Sequence, residues 1–297
     1  MNLSAAVRKH GVIGVGRAAF RALVSRPYFR WRWRNAPRYQ EPNPAQIDAI
    51  EASLEKLGVR VARPQIDRAE FAAFKERMAF PADYHGGQAG GLWDEKMFEH
   101  FLAFRLGGLD RFRPDDVYID VAGCSSPWAH ILRDHGTQAY SIDLSVRHEF
   151  QHLPYYEQQD ATRTRFGDAS VRACSLQCAF EMFAGDDDCR LIDECARILV
   201  RGGKLVIAPL YLHTHHCGYV TPDFFGGTAG DPGAPRYLCT ETWAVPYARI
   251  YSPDLLKRRI LNRAADRGLH YEVSRVTGLA ALGQGLYCHF VLVITKP

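Results

Sequence analysis

The sequence predicts an α/β protein built on an open sheet of the nucleotide-binding kind, and three observations carry that reading. Short apolar segments end in acids: Val117-Tyr118-Ile119 runs into Asp120, a second run ends at Asp143, and a third strand end carries Asp160. Between the first two lies a turn of small residues, Ala122, Gly123, Cys124, Ser125 and Ser126, followed by a helical stretch over about 127–135 that Gly136 ends. Further along, strand-like and amphipathic helical segments keep alternating, the order that yields a parallel sheet covered by helices.

Each element has its own signal. In the first strand–turn–helix–strand unit, small residues let backbone approach a ligand and the helix start offers unpaired N–H groups. An acid at the end of the second strand is placed to accept hydrogen bonds from a ribose diol. A strict Gly-x-Gly-x-x-Gly is absent, which disfavours a dinucleotide oxidoreductase. The fourth strand is expected over 172–177, and Phe180-Glu181-Met182-Phe183 opens the next connection. A helix over about 186–199 places Leu191, Ile192, Cys195, Ala196 and Leu199 on one face. Asp186, Asp187 and Asp188 suit its N-terminus, where the macrodipole favours negative charge. The helix end, a turn at Gly202-Gly203 and a buried strand to Ala208 come next. A helix over about 253–267 precedes two final β runs, 270–276 and 289–295.

Residues 117–207 closely resemble the class I S-adenosylmethionine-dependent methyltransferase family. The spacing from Asp120 to Asp143 fits that family's first two motifs, and Gly202-Gly203 matches the turn before its fifth strand. The resemblance implies a Rossmann-like methyltransferase fold: a seven-stranded, mostly parallel sheet with an antiparallel last strand, here with an N-terminal helical extension. It implies S-adenosylmethionine as cofactor, with Asp120 opening the first motif and Ala122, Gly123 and Cys124 cradling the methionine part. Asp143 would hold the ribose, Asp160 and Ala161 the adenine, and Gln177 with Cys178 would face the reactive methyl. One departure stands out. Where the family reads Asp-x-Gly-x-Gly-x-Gly, this chain has Ala122, Cys124 and Ser126 at the glycine positions, each adding a Cβ that restricts positive φ.

The chain of 297 residues has a formal net charge of +4, which conceals an asymmetry. Residues 1–40 contain Arg8, Lys9, Arg17, Arg21, Arg26, Arg30, Arg32, Arg34 and Arg38 and no acid, so the remainder is net acidic. Phe20, Tyr28, Phe29, Trp31 and Trp33 interleave this arm. Four readings stay open for it: peripheral contact with an anionic membrane, a nucleic-acid contact, an organelle transit peptide, or an ordered arm whose aromatics pack on the rest of the chain. No apolar run approaches membrane-spanning length. The eight cysteines form no Cys-x-x-Cys motif, so structural zinc is not expected and reduced thiols in a cytoplasmic protein, peripheral to a membrane at most, are.

The expected organisation is a basic aromatic arm over 1–40, a helical accessory or lid region over 41–110, and a cofactor-binding domain over 111–297. In the middle region helices are expected over 44–57, 68–79 and 93–106, the last carrying Lys96, Glu99 and His100. The Tyr84–Gly91 loop reads as a lid or as ordinary surface. For an acceptor hydroxyl, which needs a base, His213 and His215 after the fifth strand lead, since they alternate and share a face in an extended chain. Glu181 is the secondary candidate. No complete metal ligand set can be identified. The Gly- and Pro-rich insert 221–237 and the aromatics Tyr247 and Tyr251 suit a saccharide or other polyhydroxylated acceptor, or equally a core edge. The leading function is therefore O-methylation of a small-molecule or glycan acceptor. A cofactor-binding interaction protein without catalysis is the alternative raised by the altered turn. A nucleic-acid methyltransferase is disfavoured, since Gln177-Cys178-Ala179-Phe180 stands where an Asn-Pro-Pro-Tyr-type signature would be.

Overall fold

A computed structural model describes residues 21–87, 92–123 and 126–297. Contacts group the chain into two compact units, 42–215 with 251–297, and residues up to 41 with 216–250. The segment 41–110, expected as an accessory region, thus packs almost entirely within the larger unit. The 216–250 segment leaves that unit and folds with the arm instead.

In the larger unit the strands are β1 (Val61–Ala62), β2 (Val117–Val121), β3 (Gln138–Asp143), β4 (Tyr156–Gln158), β5 (Val171–Gln177), β6 (Leu199–Ala208), β7 (His270–Arg275) and β8 (Phe290–Thr295). They form one sheet in the order β1-β7-β8-β6-β5-β2-β3-β4. All neighbouring pairs are parallel except those of β8, which runs antiparallel to both β7 and β6. The expected seven strands and their reversed last member are all present, and the two-residue β1 adds an eighth at the edge. Strand order reverses beside β2, the switch point at which doubly wound sheets bind ligands.

The helices are α1 (Pro44–Lys56), α2 (Arg68–Met78), α3 (Trp93–Gly107), α4 (Trp128–Asp134) and α5 (Asp187–Ile198). A helical stretch over 253–266 joins α turns at Pro253–Leu256 and Asn262–Asp266 through a π turn at Lys257–Leu261. Strand periodicity splits the core in two. Ile119, Cys174, Leu176, Leu205, Ile207, Leu292 and Ile294 face α1, α5 and the 253–266 helix. Their alternates Tyr118, Ala173, Val206, Val291 and Val293 face α2, α3 and α4. α1 starts at a reciprocal cap, in which Asn43 accepts from the Gln46 N–H and Gln46 from the Asn43 N–H.

One local expectation is corrected. Gly202 and Gly203 do not separate a helix from a strand. β6 begins at Leu199 and runs through both glycines, and its register against β5 shifts between Val171 and Ala173. Between the Val171–Leu199 and Ala173–Lys204 pairs β6 advances five residues against two on β5, and Gly202 within this excursion sits at φ +74°, the left-handed conformation.

The smaller unit has a three-stranded sheet in which Cys217–Val220 lies between Arg236–Leu238, parallel, and Ala248–Ile250, antiparallel. The arm joins it through a bridge of Arg38 with Leu238. Trp33 donates to the Pro222 carbonyl at 3.1 Å and packs on Phe225 at 5.2 Å, while Tyr39 packs on Tyr219 at 5.0 Å. The buried Arg249 grips Asp231 with two bonds of 2.6 Å, and His216 reaches the same carboxylate at 3.0 Å. The 221–237 insert is thereby tied down within this unit. Residues 1–20 of the expected arm lie outside the described residues. Among the described residues no helix is long and apolar enough to cross a membrane.

Candidate active site

The turn after β2 has the geometry of a ligand cradle. Ala122 takes φ +60°, the left-handed conformation that glycine adopts without strain, so the alanine holds the turn at a steric cost. Its N–H donates to the Ile142 carbonyl at 2.7 Å, which ties the turn to β3. Gly123 has no room for a side chain: a Cβ there would press on the Asp120 carboxylate and lie 2.6 Å from Ser141 Oγ. Ser141 in turn donates to the Gly123 carbonyl at 3.1 Å, and Tyr156 to that of Ser126 at 2.7 Å. Cys124, expected in the cradle, lies outside the described residues.

Beneath the turn, Asp120 is buried and neither carboxylate oxygen has a hydrogen-bond partner within bonding distance among the described residues. Burial, with the Asp143 charge adding to it, pushes its pKa up to about 7. Buried acceptors in this state are uncommon and fit a donor carried by a bound ligand. Asp143 is half-buried at the end of β3 and accepts from the Ser145 N–H at 2.9 Å. Asp160 is exposed two residues past β4, where one oxygen accepts from the Thr162 N–H at 2.8 Å and hydroxyl at 2.7 Å. Ala161 beside it packs on the core. Gln177 closes β5 and donates to Ser175 at 2.6 Å. Asp120, Ala122, Gly123, Asp143, Asp160, Ala161 and Gln177 therefore all lie at or just beyond the C-terminal ends of β2, β3, β4 and β5.

Beside this cradle is a buried polar cluster whose members come from five separate places in the chain. Cys178, directly after β5, has φ +53° and its sulfur lies 3.1 Å from the Tyr211 hydroxyl and 3.6 Å from Glu181 Oε1. Glu181 is buried, its Oε2 has no hydrogen-bond partner among the described residues, and burial pushes its pKa up to about 7. α3 supplies Lys96 and Glu99, paired at 2.8 and 2.9 Å in the interior. It also supplies Glu95, which accepts from the Tyr287 N–H at 2.8 Å and keeps Oε1 unpartnered. Burial and then the neighbouring Glu99 push Glu95 up to about 8. Tyr287 stacks on Tyr211 with centroids 6.3 Å apart. Tyr84 meets His100 Nε2 at 3.0 Å, and His100 packs between Phe80 and Trp128. Burial raises the Cys178 thiol to about 12, so it stays protonated and is no nucleophile at neutral pH.

The sequence candidates divide at this point. Glu181 joins the cluster. His213 and His215 meet each other edge-to-face at 4.4 Å, with Thr214 Oγ1 3.2 Å from His213 Nδ1. Burial and then His215 hold the His213 pKa below the usual histidine range. Tyr251 bonds the buried Asp188, which makes it a core-edge residue. The first residues of the 84–91 loop form a turn with Tyr84 stacked on Phe80 at 5.5 Å, and 88–91 lie outside the described residues. Sequence reasoning named Lys96, Glu99 and His100 without giving them a role, and passed over Glu95 and Tyr287. A signal did exist: polar residues set among Trp93, Met97, Phe98, Phe101 and Leu102 leave α3 no exposed face for them. A surface depression of about 360 Å³ between α5 and the 253–266 helix is lined by none of these residues. Its Arg259 and Arg263 are committed to Asp188 and Asp193.

The methyltransferase domain family matches residues 119–207. Solved structures similar to this chain include the Burkholderia thailandensis 1,6-didemethyltoxoflavin-N1-methyltransferase, solved with 1,6-didemethyltoxoflavin and S-adenosylhomocysteine: 16% identity, 78% of this chain and 92% of that one covered, TM-score 0.46. Another is the Streptomyces coelicolor geranyl diphosphate C-methyltransferase, at 15% identity over 86% of this chain and all 100% of that one, TM-score 0.40. A third, a methyltransferase from Methanosarcina mazei, shares 15% identity over 63% and 95% of the two chains, TM-score 0.40. At these values they say nothing about the acceptor. No curated protein matches the sequence.

Proposed function

We propose that this chain, which carries a class I S-adenosylmethionine-dependent methyltransferase domain, methylates a hydroxyl of a saccharide or similar polyhydroxylated small molecule, with Glu181 as the base. S-adenosylmethionine fits the cradle: Asp120 lacks the donor that an ammonium supplies, and the absent side chain of Gly123 keeps the turn against it. Asp143 is the acceptor for the ribose. When bound, the cofactor supplies a methyl group on a positively charged sulfur, so the protein's task is alignment, water exclusion and removal of one proton.

The observation that carries the proposal is the unpartnered Oε2 of the buried Glu181, just beyond the end of β5. A carboxylate whose pKa lies near 7 is matched to taking a hydroxyl proton at neutral pH. Glu181 Oε2 would take the proton of the acceptor hydroxyl as a methyl–oxygen bond replaces the methyl–sulfur bond and S-adenosylhomocysteine is released. Lys96 holds positive charge beside Glu99, and Tyr84, Tyr211 and Tyr287 offer ring faces and hydroxyls of the kind that bind sugar rings. A second reading rests on the unpartnered oxygens: Glu95 Oε1 and Glu181 Oε2 fit N–H donors of an acceptor bearing an amino group, such as an amino sugar.

A panel of mono- and oligosaccharides, amino sugars and simple amines, incubated with methyl-labelled cofactor, tests both. Label on a sugar oxygen, lost by at least a hundredfold in Glu181→Gln, is the expected result. Label on nitrogen favours the second reading. Transfer that survives Glu181→Gln and is lost in His213→Ala would return the base to His213.

A further inference from the structure

The arm contains a helical surface for which the methyl-transfer site has no use. Arg21–Ser25 forms a π turn that runs straight into an α-helix at Arg26–Arg32, and none of that helix's residues is buried. Its apolar side chains face water: Leu23 is 77% exposed, Val24 51%, Tyr28 45% and Trp31 64%. Val24, Tyr28 and Trp31 follow at steps of four and three, so they lie along one side of the helical segment. The rings of Tyr28 and Trp31 are indeed 6.5 Å apart. Large exposed apolar side chains in a row mark a surface that binds something.

Charge identifies the occupant. Arg26, Arg30, Arg32 and Arg34 are all exposed, and the sequence has no acid before Glu41. Three of these guanidinium groups lie over aromatic rings: Arg26 over Trp243 at 5.0 Å, Arg32 over Trp33 at 4.9 Å and Arg34 over Trp31 at 5.4 Å. Arg32 also donates to the Tyr28 hydroxyl at 2.7 Å. The segment is therefore a short amphipathic element in which tryptophan and tyrosine sit beside cations. Side chains of these types settle at the boundary between headgroups and acyl chains, where the rings bury and the arginines meet anionic phosphates. Trp33, by contrast, is turned inward onto Phe225 and Pro222 and anchors the element to its own unit.

We infer that the 23–34 segment is a peripheral docking element for an anionic membrane surface, with Tyr28 and Trp31 inserting and Arg26, Arg30, Arg32 and Arg34 pairing with lipid phosphates. Full-length protein is sedimented with vesicles of phosphatidylcholine alone and of phosphatidylcholine mixed with phosphatidylglycerol. Binding to the mixed vesicles only, weakening as salt rises, is expected. Tyr28→Ala/Trp31→Ala should lower the partition coefficient at least tenfold, and Arg30→Glu/Arg34→Glu by about twentyfold or more, since each surface arginine contributes about a fivefold factor. S-adenosylhomocysteine binding, measured on the same samples, should stay at the wild-type value in both variants. Equal binding of wild type and variants, or no preference for anionic vesicles, would overturn the inference. So would capture of a single-stranded RNA oligonucleotide in preference to vesicles, which would assign the arginines to a nucleic acid.

Discussion

Replacing Glu181 by Gln separates its role in chemistry from its effect on stability. The substitution keeps the shape of the side chain and removes the titration. In the folded protein Glu181 titrates near 7, against the ordinary 4.5, because burial penalises the carboxylate. Below about pH 4.5 the side chain is protonated in both states and contributes fully. Between there and pH 7 only the unfolded chain ionises, so the wild type loses stability as pH rises, and the loss levels off above 7. The raised pKa corresponds to about 3 kcal/mol over that window. Urea unfolding of wild type and variant at pH 4.5, 6, 7 and 8.5 should therefore show Glu181→Gln gaining up to about 3 kcal/mol on the wild type as pH rises, with no further gain beyond pH 7 to 8. Turnover should move the other way, falling about 10²–10⁴-fold with cofactor affinity unchanged. A stability difference that does not depend on pH would show that Glu181 is already ionised or solvated, and would refute the argument from burial whatever happens to activity.

Three further outcomes are expected. Gly123→Ala drives a methyl group into the Asp120 carboxylate, so S-adenosylhomocysteine binding by calorimetry should weaken at least tenfold, accompanied by about 1–3 kcal/mol of destabilisation. Asp143→Ala should weaken the same binding by about 1–3 kcal/mol through loss of the ribose acceptor while leaving the melting temperature nearly unchanged. Arg249→Ala removes both guanidinium bonds to the Asp231 carboxylate and should destabilise the smaller unit by about 3–5 kcal/mol, seen as early proteolytic cleavage within 216–250.

Which parts of this architecture could be read from sequence follows from the range of the interactions involved. Strand ends were legible because a short apolar run, an acid and a turn of small residues are neighbours in sequence, as at Val117 to Gly123. The approximate boundaries of α1, α2 and α5 follow from local residues in the same way. Gly202-Gly203 was misread as a turn because two glycines signal a chain reversal and a bulge equally well, and only pairing with β5 decides between them. The polar cluster was the least legible. Cys178 meets Tyr211 across 33 positions and Glu95 meets Tyr287 across 192, and no periodicity reports such distances. The arm's aromatics had been weighed as one group, yet the fold divides them, with Trp33 and Tyr39 packed and Tyr28 and Trp31 exposed.

The outer strands of the main sheet bear on how this protein meets other copies of itself. One end of the sheet finishes in the three residues of β4 and the other in the two residues of β1. A longer outer strand would present a row of free N–H and C=O groups to which a second chain could add its own. Here the row is too short at both ends to hold a stranger in register. At high concentration, sheet-to-sheet growth of the larger unit is therefore disfavoured at both of its outer strands.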